Sequence, residues 1–239
     1  MKINVITKYI RKVLPLRKCG AVIVAAGSAS RMGGIDKVMA PLAGEPMIVK
    51  TVRAFQNCDA ISEIVIVTRQ DLVEVIMENC AQFEKVSAVV TGGQTRQESV
   101  RMGLSALSKD MQLVAVHDGA RPLITGQVID RVVRAANTYN AAIPGIPVKD
   151  TIKNVQGGLV KKTPEREKLQ AVQTPQVFDR DLLCGALQKA EYDFAIVTDD
   201  SSAVERLGMS VKVVDGDERN LKVTTPMDLK FAELLLEEM

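Results

Sequence analysis

The chain has no tryptophan, and aromatic residues make up only 3% of it. That scarcity argues against the stacking platforms that single-stranded nucleic acid requires. Charge of one sign is also lacking. The formal net charge is +2, too balanced for a nucleic-acid footprint, so any positive charge that matters is local. There is one histidine, His117, and the four cysteines, Cys19, Cys58, Cys80 and Cys184, are scattered with no C-x-x-C. This spacing speaks against zinc ligation and against a disulfide framework. Buried free thiols in a reducing compartment fit it better. No apolar run approaches the roughly 20 residues of a membrane span. The first 18 residues, MKINVITKYIRKVLPLRK, are basic and partly apolar. Lys8, Arg11 and Lys12 interrupt the apolar region that a signal peptide needs, and no small-residue cleavage site follows. The expectation is a cytoplasmic protein with a short N-terminal extension, frayed rather than functional, and no membrane or nucleic-acid partner.

What is present is enough apolar residue, 46% of 239, for one large α/β domain or two small ones. The stretch around which the rest is organised is Ala21 to Lys37, AVIVAAGSASRMGGIDK. Ala21 to Val24 is a short unbroken apolar run and reads as a buried strand. Ala25, Ala26 and Gly27 break it with small side chains, which let backbone approach a phosphate closely. Arg31 and Lys37 follow within reach, one a fork and the other a point charge for a polyphosphate. Strand, small turn and helix together place N–H groups where an anion docks. The loop matches neither the P-loop, since no Gly-Lys-Ser/Thr follows, nor the dinucleotide pattern G-x-G-x-x-G.

Strand and helix signals then alternate. Met47 to Phe55 has helical spacing, and Ile61 to Val67 is β-branched and strand-like. Leu72 to Phe83 reads as a helix, Val86 to Val90 as a strand, Gln97 to Leu107 as a helix. Leu113 to Val116 is a strand and Val128 to Asn137 a helix. This alternation implies a doubly wound, mostly parallel, Rossmann-like sheet, which binds ligands at the carboxyl ends of its strands. Three polar clusters fall at such ends: the opening loop, Gly92 to Ser99, and His117 to Pro122. Gly93 and Ser99 could read a base edge. Asp118 could bind a ribose hydroxyl or a divalent metal, against the plainer alternative of an ion pair with Arg121. The lone His117 reads more readily as structural than as catalytic.

After Tyr139 the pattern changes. Asp150 to Lys153 and Gly158 to Lys161 read as two antiparallel strands around a Gly turn, with too little apolar surface for a core of their own. An isolated hairpin is marginal in water, so an arm, about residues 142 to 174, is expected to pack on something else, most simply a second subunit. The chain returns through Gln170 to Phe178 and a helix over Asp181 to Ala190. Thr198 to Ser202 reads as an N-cap cluster, Val211 to Val214 as a strand, and Pro226 as the first residue of the last helix. Lys222 is expected at the end of the last strand. Arg166 sits in the charged run Glu165 to Lys168, where a solvated ion-pair cluster is the alternative to a function. No nucleophile–base pair can be assembled. Several cations, small-residue loops and one well-placed acid suit phosphoryl or nucleotidyl transfer, in which positioning and charge neutralisation do most of the chemistry.

A-A-G-x-x-x-R-M, G-G-x-x-R-x-x-S, H-D-x-A-R-P, T-P-Q, T-D-D and N-L-K-V-T-T-P-x-D-L follow one another from Cys19 to the C-terminus. In that order they resemble the 2-C-methyl-D-erythritol 4-phosphate cytidylyltransferases of the non-mevalonate isoprenoid pathway. The resemblance implies a single nucleotidyltransferase domain over 19–239, a homodimer with arm exchange, and a divalent metal, normally Mg2+. It implies the reaction of CTP with the polyol phosphate to give CDP-methylerythritol and pyrophosphate. It assigns Ala25, Ala26, Gly27, Gly93 and Ser99 to the nucleotide. Arg31, Lys37 and Lys222 are its catalytic cations, and Asp118 the acid near ribose and metal. Thr151 and Arg166 become arm residues serving the neighbouring subunit, and Thr174, Thr198 and Arg121 residues of the substrate pocket. Ala29 and Val38 depart from the usual pattern of the opening loop, and the spacing from Arg31 to Lys37 is one residue short. Two other readings remain open on these residues alone: a ribitol- or other polyol-phosphate cytidylyltransferase, and a nucleotide-binding protein without catalysis.

Overall fold

The computed structural model describes residues 15–27 and 36–238, so Arg31, Ala29 and most of the N-terminal extension lie outside the described residues. The opening strand is β1 (Cys19–Val24). It is followed by a two-rung hairpin, β2 (Pro41–Leu42) with β3 (Glu45–Pro46), and by helix α1 (Met47–Gln56). Next come β4 (Glu63–Thr68), α2 (Val73–Cys80), β5 (Val86–Thr91), α3 (Arg96–Ala106), β6 (Leu113–Asp118) and α4 (Gly126–Tyr139). These match the expected alternation, with ends shifted by one to a few residues.

Strands β5, β4, β1 and β6 are parallel neighbours in that order. Their side chains alternate between two cores. Ala21 and Ile23 of β1, Ile64 and Ile66 of β4, and Leu113 and Ala115 of β6 face a core closed by Val52 and Phe55 of α1 and Ile129 and Val133 of α4. Val22, Val65, Val67, Val114 and Val116 face the other core, under Val100 and Leu104 of α3. A strand buried on both faces needs an apolar residue at every position, and this is why these segments read as unbroken runs.

The second half breaks the purely parallel pattern. β7 (Ala141–Pro147) continues the sheet, and β12 (Lys212–Asp215) pairs with it in parallel. β10 (Gln170–Val172) and β11 (Gln176–Asp179) run against their neighbours, β11 lying between β6 and β7. The chain returns from the arm without the crossover helix that usually links parallel strands, and β10 and β11 pair antiparallel. α5 (Arg180–Tyr192) and α6 (Asp200–Arg206) then cover the second core, and α7 (Pro226–Glu237) ends the fold. Among the described residues, no helix is long and apolar enough to cross a membrane.

The arm is a hairpin, but its strands are β8 (Asn154–Gln156) and β9 (Leu159–Lys162), not Asp150–Lys153. Gly157 and Gly158, at φ of 58° and 77°, form the two-residue turn and set this register. Consecutive positive φ values are what such hairpin turns require of glycine. Every residue from Lys149 to Thr163 is exposed. Lys222 is not at a strand end either. β12 stops at Asp215, and Lys222 stands in the connection to α7, held by a Val223 N–H donating to the Ala120 carbonyl at 2.8 Å. Three of the free cysteines are buried as expected, but Cys184 is exposed on α5.

Candidate active site

The carboxyl ends of β1, β4, β5 and β6 open into one cleft of about 590 Å³, within the usual size for a small-molecule site. Ala25, Ala26, Gly27, Lys37, Gly93, Ser99, Asp118 and Lys222 all line it. The ladder extends into the loops. The Ala25 N–H donates to the Val67 carbonyl at 2.7 Å, and the Gly119 N–H to the Val24 carbonyl at 2.8 Å.

Lys37 is brought over the small-residue loop. A Cβ added to Gly27 would stand 3.7 Å from its ammonium nitrogen. The segment that carries it is fastened on both sides. The Val38 N–H donates to Asp36 Oδ1 at 3.0 Å, Arg69 pairs with Asp36 Oδ2, and the Ile48 N–H donates to the Val38 carbonyl at 2.9 Å. Val38, one of the departures from the family pattern, is buried in the first core. An apolar residue there anchors the lysine's loop.

On the opposite wall, α3 starts with a reciprocal cap. The Thr95 hydroxyl accepts from the Glu98 N–H, while the Glu98 carboxylate accepts from the Gln94 and Thr95 N–H groups. Ser99 Oγ accepts from the Gly93 N–H at 3.2 Å and donates to the Thr95 carbonyl at 3.0 Å, so its hydroxyl shapes the loop while its edge faces the cleft. A Cβ on Gly92 would fall 2.7 Å from both Ala26 Cβ and Ser99 Oγ. The two loops meet too closely there for any other residue.

Asp118 is the hub. Its carboxylate oxygens face three cations: Lys222 Nζ at 2.8 Å, Arg121 Nε at 3.7 Å and Arg96 Nε at 3.8 Å. Burial opposes its ionisation, but Lys222, Arg96 and Arg121 outweigh that and hold the carboxyl at about 2. Arg121 backs the cleft rather than lining it, and its NH1 donates to the Asn220 carbonyl at 2.7 Å. The expected alternative, an ion pair between Asp118 and Arg121, is thus present as part of a larger set.

Beneath Asp118 lies a buried relay. The Arg121 carbonyl can only accept, so His117 Nε2 carries the proton toward it at 3.3 Å. His117 Nδ1 then accepts from the Thr174 hydroxyl at 3.0 Å, and Thr174 Oγ1 accepts from the Asp118 N–H at 3.1 Å. This arrangement needs a neutral imidazole, and burial pushes the His117 pKa down to about 3. Thr174 therefore supports Asp118 from behind and does not line the cleft.

Other expected site residues are not gathered here. Thr198 is exposed ahead of α6, and Thr151 is exposed at the base of the arm. Arg166 is exposed as well, its NH1 donating to the Lys149 carbonyl at 3.1 Å, while the ion pair of its charged run joins Lys168 to Glu165. Two residues of the site went without a role in the sequence reading. Arg96 belongs to the G-G-x-x-R-x-x-S segment and lines the cleft, and Asp200, the second acid of T-D-D, accepts from Arg96 at 2.7 Å. The signal was there in the motifs, but their pairing across 104 residues of sequence was not.

A mostly parallel sheet with small-residue loops, converging cations and one ionised acid at its strand ends defines an α/β nucleotidyltransferase. The sequence pattern of the IspD family, 2-C-methyl-D-erythritol 4-phosphate cytidylyltransferase, matches residues 19–238, and the chain belongs to that family. The enzyme of that name from Symbiobacterium thermophilum is 48% identical over 219 residues, covering 91% of this chain and 92% of its own. The one from Caldanaerobacter subterraneus is 45% identical over 221 residues, 90% of this chain and 97% of its own. Among solved structures, the 4-diphosphocytidyl-2C-methyl-D-erythritol synthase of Anaerococcus prevotii superposes with a TM-score of 0.84 at 32% identity, covering 92% of this chain and 96% of its own.

Proposed function

We infer that this chain carries its family's activity, joining CTP to 2-C-methyl-D-erythritol 4-phosphate with release of pyrophosphate. The observation that carries the reading is that Lys222 and Arg96 converge on Asp118 in the same strand-end cleft into which Lys37 projects beside Gly27. An oxygen of the substrate phosphate attacks the α-phosphorus of CTP. The bond from that phosphorus to the bridging oxygen breaks, and pyrophosphate leaves with the electron pair. Lys37, beside the small-residue loop, neutralises the charge that grows on the α-phosphate. Arg31 of the same loop is the second such cation by family resemblance. Backbone around Gly93 and the edge of Ser99 hold the base, and Asp118 holds the ribose. Lys222 orients the acid and meets the incoming phosphate. Positioning and charge neutralisation suffice, as in other phosphoryl transfers.

The donor set also suits Mg2+. Asp118 is the one acidic residue lining the cleft among the described residues, and it is held ionised. Magnesium is commonly held by one or two carboxylates plus substrate phosphates and water. Asp118 would hold it, and the ion would neutralise phosphate charge. The arm is read as the part that completes a second copy's site in a homodimer, with Thr151 and Arg166 directed at the partner's substrate phosphate. Its fully exposed hairpin supports that reading. Free thiols suit a reducing compartment, and the cytoplasm is the place proposed for the enzyme.

The test is turnover of CTP and Mg2+ with a panel of polyol phosphates. Methylerythritol phosphate should be consumed far faster than ribitol phosphate. Preference for another polyol would reassign the substrate, and no turnover with any would leave a nucleotide-binding protein.

A further inference from the structure

We propose that Asp200 is a positioning residue of the active site, acting through Arg96 to fix where the carboxylate of Asp118 stands. This rests on the cytidylyltransferase reading above and adds a residue to it. Asp200 is 1% exposed and opens α6, a helix with no residue lining the cleft, so it reaches the site only through Arg96. Arg96 opens α3 directly after the glycine loop. Its guanidinium is shared. NH2 reaches Asp200 Oδ2 at 2.7 Å, and Nε stands 3.8 Å from Asp118 Oδ1. The other oxygen of Asp118 is held by Lys222. Arg96 therefore bridges a buried carboxylate to the carboxylate of the site, joining the starts of two helices to the end of β6.

A buried ion pair is weak grounds for stability, because the desolvation of both charges offsets their attraction. The rest of the network shows that α6 is fastened without this pair. The Asp199 side chain caps the helix by accepting from the Ser202 N–H at 3.0 Å, and Gln176 donates to Asp199 at 2.7 Å while accepting from the Ser201 N–H at 3.0 Å. What Asp200 adds is direction. The rigid arginine fork can satisfy two carboxylates at once, where a lysine point charge satisfies one. Released from Asp200, Arg96 would turn its whole fork on Asp118 or on the triphosphate, and the acid would lose its place against the ribose.

The experiment compares Asp200→Asn, Asp200→Glu, Arg96→Lys and Arg96→Gln with the wild type. It measures kcat and KM for CTP, the direct CTP dissociation constant by calorimetry, and the melting temperature. Wild-type turnover tests the activity itself, so its failure is separate from failure of this proposal. Asp200→Asn and Arg96→Gln should each raise the CTP dissociation constant and KM about tenfold, with kcat within about threefold. Asp200→Glu should recover most of the loss. The double variant Asp200→Asn/Arg96→Gln should be no worse than the poorer single, since the two act as one unit. Should Asp200→Asn fail to fold, Arg96→Lys decides, because it keeps the charge but loses the bridge. Binding as poor as that of Arg96→Gln supports the proposal. Near wild-type binding by Arg96→Lys, additive losses in the double variant, or a lowered melting temperature with unchanged CTP binding would overturn it.

Discussion

The cleft and the arm are built on opposite terms. Asp118, Lys222, Arg96 and Arg69, which line the cleft, each meet a partner from elsewhere in the same chain. Asp118 answers to cations from three separate segments, and Arg69 clamps the turn that carries Lys37. In the arm, from Lys149 to Thr163, every residue is exposed, and the hairpin is held by its own two strands and a Gly turn. Ile152, Val155, Leu159 and Val160 stand in water there. Among the described residues, the polar contacts of the cleft are made within one copy of the chain. The arm's hairpin has no layer packed over it, in keeping with the proposed contact with a second copy. The sequence hints at this contrast, because the cleft segments are short apolar strands ending in small or charged residues, while the arm alternates charge with β-branched residues around glycine and never supplies a second layer.

That contrast can be broken or sharpened by measurement, beginning with the largest effect. Lys37→Ala should lower the turnover of CTP by a hundredfold or more, in line with the ~3–4 kcal/mol lost with one donor to a developing oxyanion. Its melting temperature should stay near that of the wild type. Turnover close to wild type would take Lys37 out of the mechanism.

Next comes the relay beneath the acid. His117 is neutral in the folded protein, with a pKa near 3 against an ordinary 6.5. In the unfolded chain it takes up a proton as the pH drops through 6.5, while the folded protein resists until about 3. Stability is therefore lost on acidification through that window, by about 2 kcal/mol between pH 7 and pH 5. Urea midpoints at the two pH values should show this fall in the wild type and much less of it in His117→Gln. An equal slope in both would mean that the imidazole is not held neutral. Asp118, held near 2, adds its own loss from about pH 5 downward, where the unfolded carboxyl begins to take up protons while the folded one stays ionised.

Thr174→Val is a smaller cut at the same place. It leaves the Asp118 N–H and His117 Nδ1 without their shared partner, a cost of about 1–3 kcal/mol. The chemical denaturation midpoint should drop accordingly, and activity should fall with it because Asp118 shifts. Unchanged stability would mean that water replaces the hydroxyl and that the relay has no structural weight. Smallest of all is the effect of Arg166→Ala on stability, expected within about 0.5 kcal/mol since the side chain is exposed and bonded to a single carbonyl. A large drop in melting temperature would tie Arg166 to its own fold and not to a partner.

Much of the fold was legible because burial on both faces leaves its mark residue by residue. The runs Ala21–Val24, Ile61–Val67 and Leu113–Val116 contain the core of the sheet, with Val86–Val90 as its partly exposed edge, and the small or polar residues after them mark the cleft. Less legible was anything decided by contacts far apart in sequence. The antiparallel return of β10 and β11 depends on where the arm lets the chain back in. The position of Lys222 depends on one hydrogen bond to Ala120 and on the burial of Asn220, and no local pattern announces either. Thr174 looked like a pocket residue but supports one from behind, its hydroxyl accepting directly from the N–H of Asp118, 56 positions away. Arg96 and Asp200 were visible as letters of motifs, yet their pairing is a fact of three dimensions.

The most direct test of the whole account mixes two inactive variants. Lys37→Ala is defective in its own cleft, and Arg166→Ala is defective in the arm. If the arm serves the other copy, a heterodimer gathers both defects in one site and leaves the second site intact. Mixing should then restore activity, to roughly half of wild type per heterodimer when sites are independent and subunits exchange freely. No recovery on mixing, under conditions where light scattering shows a dimer and exchange of labelled subunits is complete, would contradict it, as would a monomer with full activity.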